Sequence, residues 1–401
     1  MKFALLACDP DTLELAREVS RAPDHTLVWA CQLGEWEQAV RAAAPGLVVA
    51  EHWEHLLGGT VADVVIVSRA DDEEQRAEQL RKLAQAGAAM IVSHPVVDSM
   101  LVCYELDMIR QESRAGMVPY VPARWHPVWL RLSRLVAEGA TGPLGVIEQV
   151  VVERISPERG RREVLREFVR DIELALPFCG RLNNASAMTA AGVRSAADAI
   201  NYGTLSVQMA SLSKVLVRWS VATAEPARGR FTLIGTRGSA TLVVPHMGAW
   251  RLDVNSEGRT ASEDFEEAPL AAIALPSLLR GLQLVGATAG NPEVDSPATV
   301  PDWLDACHTM ELADAVQHSL ERGRAIELHY EAPSEHATFK GLMSGIGCLL
   351  LIVGLLVLVV ATTAVNAGVP LADYWPQILL GVLVVFLLLQ LLRLVFPSQS
   401  S

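Results

Sequence analysis

Residues 61–95 constrain the fold more than any other stretch of this chain. Val61-Ala-Asp-Val-Val-Ile-Val67 is a largely apolar run, the pattern of a parallel strand covered on both faces. Asp71 and Asp72 stand where a helix N-cap belongs, and Glu73 and Glu74 suit the positive end of the helix that follows. Ala77, Leu80, Leu83 and Ala84 make one buried stripe, and Gly87 sits where a left-handed C-terminal residue is expected. Ala88-Ala-Met-Ile-Val92 then forms the next parallel strand and ends in Ser93-His94-Pro95. Open α/β sheets place their chemistry at the carboxyl ends of such strands. Those three residues therefore mark a candidate site.

The same alternation continues on either side. Lys2–Ala7, Thr26–Cys31 and Val48–Val49 read as strands, with helices at Asp11–Arg21, Glu35–Ala43 and His52–Leu57. A helix at Val97–Ala115 and a strand around Pro119–Pro122 follow. The pattern predicts a doubly wound parallel sheet over residues 1–122. After Gly145 the rhythm changes to antiparallel strands at Val146–Ile155, Ala185–Ala190, Tyr202–Ala210, Lys214–Val221, Gly229–Gly235 and Ser239–Val244. A helix at Leu165–Cys179 lies among them, Thr260–Ala268 reads as an acidic surface loop, and a helix at Pro301–Arg322 closes an α+β domain over 123–332.

Charge and cysteine usage narrow the class. With 46 acidic against 33 basic residues the net charge is −13, which disfavours nucleic acid as a partner. Six scattered cysteines show neither zinc-site nor disulfide-frame spacing and read as reduced thiols. The N-terminal apolar run is too short for a secretory signal and meets Asp9 and Pro10 at once. Two apolar runs at about 342–365 and 375–396, uncharged except for Arg393, each suffice to span a bilayer as a helix. Arg322, Arg324 and Lys340 precede the first and Arg393 closes the second, while the link between them carries only Asp373. The expectation is a two-helix transmembrane hairpin in a lipid bilayer, with the soluble part and both termini in the cytoplasm.

Several segments, in order, resemble the glucose–fructose oxidoreductase / inositol dehydrogenase (Gfo/Idh/MocA) family. They are Trp53-Glu-His-Leu-Leu with the strand–helix–strand unit through Ser93-His94-Pro95, Leu135-Val-Ala-Glu-Gly139 with Gly142-Pro-Leu-Gly-Val-Ile147, Phe231–Leu242 with its Gly-Thr-Arg-Gly turn, and Trp303-Leu-Asp-Ala with Glu311–Leu328. The resemblance covers nearly all of residues 1–330 and does not include the apolar C-terminal hairpin. It implies a Rossmann domain joined to a domain with an open antiparallel sheet. It also implies NAD or NADP as cofactor, a sugar or cyclitol-like alcohol as small-molecule substrate, and homo-oligomers paired through the open sheet face.

At the positions that matter the chain departs from the family. Where the family has GxGxxG, whose glycines admit a pyrophosphate, this chain has Ala7-Cys8-Asp9-Pro10-Asp11-Thr12. Asp9 and Asp11 read as helix caps; the alternative is a cofactor in a shifted pose beside Cys8, Asp9 and Asp11. The ribose-binding acid is replaced by Gln32, and Ser68-Arg69 stands where the family turns past the cofactor. Arg69 is expected to meet a phosphate, to be solvated, or to pair with Asp71 or Asp72. The family's Glu-Lys-Pro is Ser93-His94-Pro95, so His94 is either a substitute acid–base group or a structural residue, with Pro95 in the cofactor-binding set. The family's Asp-x-x-x-His element with its following acid is similar to Arg166, Arg170 and Glu173 here. Arginine accepts no proton at neutral pH. Arg166 and Arg170 are therefore expected to bind an anion or to pair with Glu167, Asp171 and Glu173 along one helix. None of the four lysines, Lys2, Lys82, Lys214 and Lys340, is placed to replace the missing one. Two functions remain: an NAD(P)-dependent oxidoreductase with His94, Arg170 and Glu173 at its centre, or a non-catalytic ligand-binding or docking module tethered to a membrane.

Overall fold

The computed structural model describes residues 1–59, 61–158, 160–189, 202–286 and 301–328. The chain opens with β1 (Lys2–Leu6), α1 (Pro10–Arg21), β2 (Thr26–Cys31), α2 (Glu37–Ala43), β3 (Val48–Ala50), β4 (Val64–Val67), α3 (Glu73–Gln85), β5 (Ala89–Ser93), α4 (Met100–Ser113) and β6 (Met117–Tyr120). The six strands form one parallel sheet in the order β3-β2-β1-β4-β5-β6, the arrangement of a Rossmann domain. Val64, Val65, Ile66 and Val67 are all buried, as a central strand covered on both faces requires.

Local chemistry sets the ends of these elements. The β4 strand starts at Val64 rather than Val61 because Asp63 closes a turn: its carboxylate accepts from Lys2 N at 2.7 Å and its own N–H donates to Lys2 O at 2.8 Å. Of the two cap candidates before α3, Asp72 takes the role, accepting from Gln75 N at 2.9 Å. Gly87 adopts φ 72°, as its position predicts. The expected helix at His52–Leu57 is a single 3-10 segment, Trp53–Gly58.

The second half comprises α5 (Pro127–Ala137), β7 (Ile147–Ser156), α6 (Arg161–Cys179), β8 (Leu182–Thr189), β9 (Thr204–Ser211), β10 (Leu216–Thr223), β11 (Arg228–Gly235), β12 (Gly238–Val244), β13 (Trp250–Ser256), β14 (Arg259–Phe265), α7 (Leu270–Gly286), α8 (Trp303–Arg322) and β15 (Ile326–Glu327). Its nine strands run in the order β14-β13-β12-β11-β7-β10-β9-β8-β15. The sheet is mixed rather than wholly antiparallel, because β7 and β10 pair in parallel from Gln149–Leu216 to Ser156–Thr223. Thr260–Ala268, expected as a loop, falls mostly within β14, which pairs with β13 at the sheet edge. Its carboxylates are exposed there, and charge on an edge strand discourages pairing with other chains.

Two helices of this half reach back across the chain. Ala271, Ala274, Leu275, Leu278 and Leu282 of α7 share a core with Phe3, Leu5, Leu15 and Ile66. Trp303 of α8 is buried and donates Nε1–H to Cys103 O on α4 at 3.0 Å. Among the described residues no helix is long and apolar enough to cross a membrane. The spans expected at 342–365 and 375–396 lie outside the described residues.

Candidate functional site

The carboxyl ends of β1, β2 and β4 open onto a cleft of about 850 Å³, lined by Cys8, Asp9, Gln32, Arg69, Arg76 and Arg170 among others. The turn after β1 holds Ala7 at φ 58°, and the turn after β2 holds Gln32 at φ 58°. Both are uncommon conformations for residues with a Cβ. They bring the chain sharply round at the strand ends.

Asp9 controls the start of α1. Thr12 N donates to Asp9 Oδ1 at 2.8 Å and Asp9 N donates to Thr12 Oγ1 at 3.0 Å, a reciprocal capping box. Ser93 Oγ donates to Asp9 Oδ2 at 2.9 Å, and Arg69 Nε lies 3.8 Å from the same oxygen. Asp9 is only 7 % exposed. A buried, fully engaged carboxylate therefore occupies the positive end of α1, where a phosphate would otherwise find its N–H donors. Pro10 removes one further donor.

The neighbours of Asp9 are equally committed. Ser68 is buried, donates to Ala7 O at 3.1 Å, and meets Thr12 Oγ1 at 2.5 Å. Burial pushes the Cys8 thiol up to about 12, so it is no nucleophile at neutral pH. Arg69, expected to be solvated or to pair with Asp71 or Asp72, faces Asp9 instead. Its affinity for a proton is lowered by burial and then by the nearby Arg170. Gln32 Oε1 accepts from Gln79 Nε2 at 3.2 Å, on the β2 side of the cleft.

His94 is 2 % exposed and bonds Thr309 Oγ1 through Nε2 at 3.1 Å. Thr309 spends its own proton on Ala306 O at 2.9 Å, so the network assigns the Nε2 proton to His94. Burial, then Arg170, holds the imidazole down to about 3. It is neutral at physiological pH and absent from the lining of the cleft, an environment that suits the structural alternative. Pro95, rather than touching the main cleft, lines a smaller cavity of about 530 Å³ with Asp98, Arg161, Leu165, Met310 and Gln317.

The arginines of α6 do not pair along their own helix as expected; they reach to the parallel-sheet half. Arg170 bonds the Asp11 carboxylate and donates Nε–H to His94 O at 3.1 Å. Arg166 Nε lies 3.2 Å from Asp98 Oδ1 and its Nη2 3.6 Å from Glu73 Oε1. Arg162 bonds the same two acids, at 2.5 Å to Asp98. Spacing of four residues puts all three guanidiniums on one helix face. The carboxylates of α6 turn elsewhere: Glu167 accepts from Ser156 Oγ at 3.0 Å, Asp171 pairs with Arg154, and Glu173 pairs with Arg124 at 2.7 Å. Glu173 is fully buried, and burial pushes its carboxyl up to about 7 against the pull of Arg124.

Two site features escape a reading of the sequence. Arg76 and Gln79 are buried on α3 beside the cleft. Arg76, Leu80 and Leu83 share one helix face, so a charged residue within an apolar stripe was the available signal. Arg162, one turn from Arg166, shares its partners Glu73 and Asp98, and no local spacing connects those two acids to α6.

Solved structures with this architecture provide the comparison. A protein from Sinorhizobium meliloti 1021 assigned as a myo-inositol dehydrogenase superposes with a TM-score of 0.64 over 82 % of this chain and 100 % of its own, at 18 % identity. An oxidoreductase from Agrobacterium radiobacter, solved with NAD+, L-tartaric acid and magnesium, gives 0.65 over 82 % and 98 %, at 13 % identity. A 3-ketoreductase from Actinomadura kijaniata, solved with NADP and TDP-benzene, gives 0.63 over 80 % and 98 %, at 13 % identity. No family model and no curated protein matches the sequence. At these identities the likeness is one of fold: a Rossmann-like parallel sheet joined to a mixed-sheet domain.

Proposed function

We propose that this chain is a Gfo/Idh/MocA-type protein that binds a nicotinamide dinucleotide, NAD or NADP, as a ligand of its cleft and does not turn it over. The cleft volume and the Gln32–Gln79 pair suit the adenosine half of such a molecule, and neighbours of the same fold are solved with NAD+ and NADP. The usual pyrophosphate position does not fit, because Asp9 holds it with a buried carboxylate. A dinucleotide here lies off the end of α1, beside the arginines that line the cleft.

One observation carries the non-catalytic reading. His94, in the place of the family's lysine, is buried, neutral and bonded to Thr309, and the residue matching the family's general base is Arg170, held by Asp11. His94 is a weak base away from the cleft lining, and Arg170 accepts no proton at neutral pH. The second reading, oxidation or reduction of a sugar or cyclitol-like alcohol, draws on the fold of the neighbours. It would need Glu173 as the base, and that carboxyl is sealed against Arg124.

Calorimetric titration of the full chain with NAD, NADP and their reduced forms tests this, followed by nicotinamide absorbance in the presence of inositols and aldoses. Binding without absorbance change is the expected result. Turnover that disappears in His94→Ala or Glu173→Gln sinks the non-catalytic reading, and no binding up to millimolar concentrations sinks the nucleotide reading. The uncharged runs near the C-terminus further support a tether to the inner face of a membrane. A reporter fused after Ser401 should then be cytoplasmic, and an external signal would reverse the topology.

A further inference from the structure

Arg76 is anomalous. It is 0 % exposed, and among the described residues none of its Nε, Nη1 and Nη2 atoms has a hydrogen-bond partner. Burial lowers its proton affinity only to about 10, so the guanidinium stays charged at neutral pH. An unpaired buried cation is strongly destabilising unless an anion and acceptors compensate it. Among the described residues no acceptor bonds it and no carboxylate pairs with it directly. Among the described residues Asp9 is the carboxylate whose charge reaches Arg76, and its oxygens already serve Thr12, Ser93 and Arg69. Cys31, the other neighbour in charge, is itself a buried thiol whose Sγ points to Glu51 O at 3.6 Å. One turn along α3, the acceptor Gln79 Oε1 is also buried and unpartnered, while Gln79 Nε2 is spent on Gln32.

Arg76 nevertheless lines the cleft with Gln32, Gln75 and Trp36. A planar guanidinium offers five N–H donors in a fork that matches a phosphate or carboxylate. We propose that Arg76 anchors an anion-binding site on the β2 side of the cleft, for a phosphomonoester whose own hydroxyl donates to Gln79 Oε1. The site is separate from the end of α1, which Asp9 closes to anions. Because Arg76 is shut off from bulk water, occupation requires side chains over the cleft floor to shift. A free phosphate ion and the 2′-phosphate of a phosphorylated ribose share the required chemistry. The site stands on the orphaned guanidinium, so it survives even if no dinucleotide binds.

Thermal unfolding of the purified full chain in phosphate-free buffer tests this, with inorganic phosphate, 2′,5′-ADP and NAD added separately. Phosphate at a large excess over its Kd is expected to raise the midpoint by at least about 2 °C. If the source is a ribose phosphate, 2′,5′-ADP acts at tenfold or lower concentration than inorganic phosphate, and NAD does not share that gain. If the source is free phosphate, inorganic phosphate and 2′,5′-ADP act alike. In Arg76→Met an apolar side chain of similar length replaces the orphaned charge. This variant is expected to unfold at or above the wild-type midpoint without ligand, and to lose the response to both inorganic phosphate and 2′,5′-ADP. Arg76→Lys keeps the charge and is expected to keep a weakened response. The proposal is overturned if neither inorganic phosphate nor 2′,5′-ADP stabilises the wild type, or if Arg76→Met responds as the wild type does.

Discussion

Arg170 of α6 bonds the carboxylate of Asp11 in the first turn of α1, and its Nε–H reaches the carbonyl oxygen of His94 at 3.1 Å. One guanidinium thus ties the mixed-sheet half of the chain to both the helix start and the strand end where this fold carries its chemistry. The Asp11 carboxylate is doubly placed, since the positive end of α1 also favours it.

Removing this tie should loosen the cleft without unfolding the chain. Both side chains are about a quarter exposed, so water and salt moderate their attraction. A double-mutant cycle with Arg170→Leu and Asp11→Asn in urea should give a coupling of about 1 kcal/mol at low salt. Half of it should be lost in molar salt. A coupling indistinguishable from zero would mean that the two groups merely meet at the surface.

Asp9 allows the cleft's resistance to phosphate to be tested directly. Asp9→Asn keeps a side-chain oxygen for Thr12 N while removing the charge. Dinucleotide affinity should rise about fivefold to tenfold, with folding stability changed by less than about 1 kcal/mol. Asp9→Ala deletes the cap and orphans Ser93 Oγ, and should cost about 2 kcal/mol. Calorimetry reads the first and urea denaturation the second. Unchanged affinity in Asp9→Asn would show that the carboxylate is not what keeps a pyrophosphate away.

The sequence made part of this arrangement legible and hid the rest for physical reasons. The strand–helix–strand unit around α3 follows from short-range rules: an acidic cap, a buried stripe and a left-handed glycine, all within one turn or strand of each other. The capping role of Asp9 belongs to the same class. The partners of Arg170 do not, because Asp11 lies 159 residues away, and within α6 the nearer acids looked equally suitable. Helix α7 is hard to read because apolar residues fill most of Leu270–Gly286, so its buried stripe does not stand out, and Pro276 interrupts it. Strand β14 is hard to read because Arg259–Phe265 shows no apolar alternation and is exposed nearly throughout, which an edge tolerates and a covered strand does not. At the site, the absence of glycines and lysines was visible, whereas the burial that silences His94 was not.

Two buried groups give opposite pH signatures. Folded His94 takes a proton only near pH 3, against 6.5 for an ordinary histidine. Between those values the unfolded chain binds the extra proton, so stability falls as pH drops, at up to about 1.4 kcal/mol per pH unit. Glu173 titrates at about 7 in the folded chain against an ordinary 4.5. There the folded chain holds the extra proton, and stability falls as pH rises through that window. The two slopes oppose each other between pH 4.5 and 6.5. Relative to the wild type, His94→Gln should gain stability as pH falls below 6.5, and Glu173→Gln should gain as pH rises from 4.5 to 7. Urea midpoints across that range measure both, and variants that run parallel to the wild type would refute the assignments.

The mixed-sheet half rests on a second buried carboxylate, Asp171. Its Oδ2 accepts from Arg154 Nε at 2.7 Å and from Trp219 Nε1 at 2.8 Å. Trp219 is fully buried in the middle of β10 and meets Phe168 of α6 edge to face, with centroids 5.2 Å apart. Asp171 therefore joins helix to sheet at the core of this half. Asp171→Ala leaves the indole N–H with no acceptor and Arg154 with only the more distant charge of Glu167. Arg154 is partly exposed, so water recovers some of its loss, whereas the indole recovers nothing. The expected cost is about 2–3 kcal/mol, with an earlier urea transition and a changed Trp219 fluorescence. Asp171→Asn retains an acceptor for Trp219 and should cost about half as much. Equal costs for the two would place the stabilisation in the Arg154 ion pair rather than in the indole bond, and a cost below about 0.5 kcal/mol for both would remove Asp171 from the core's support.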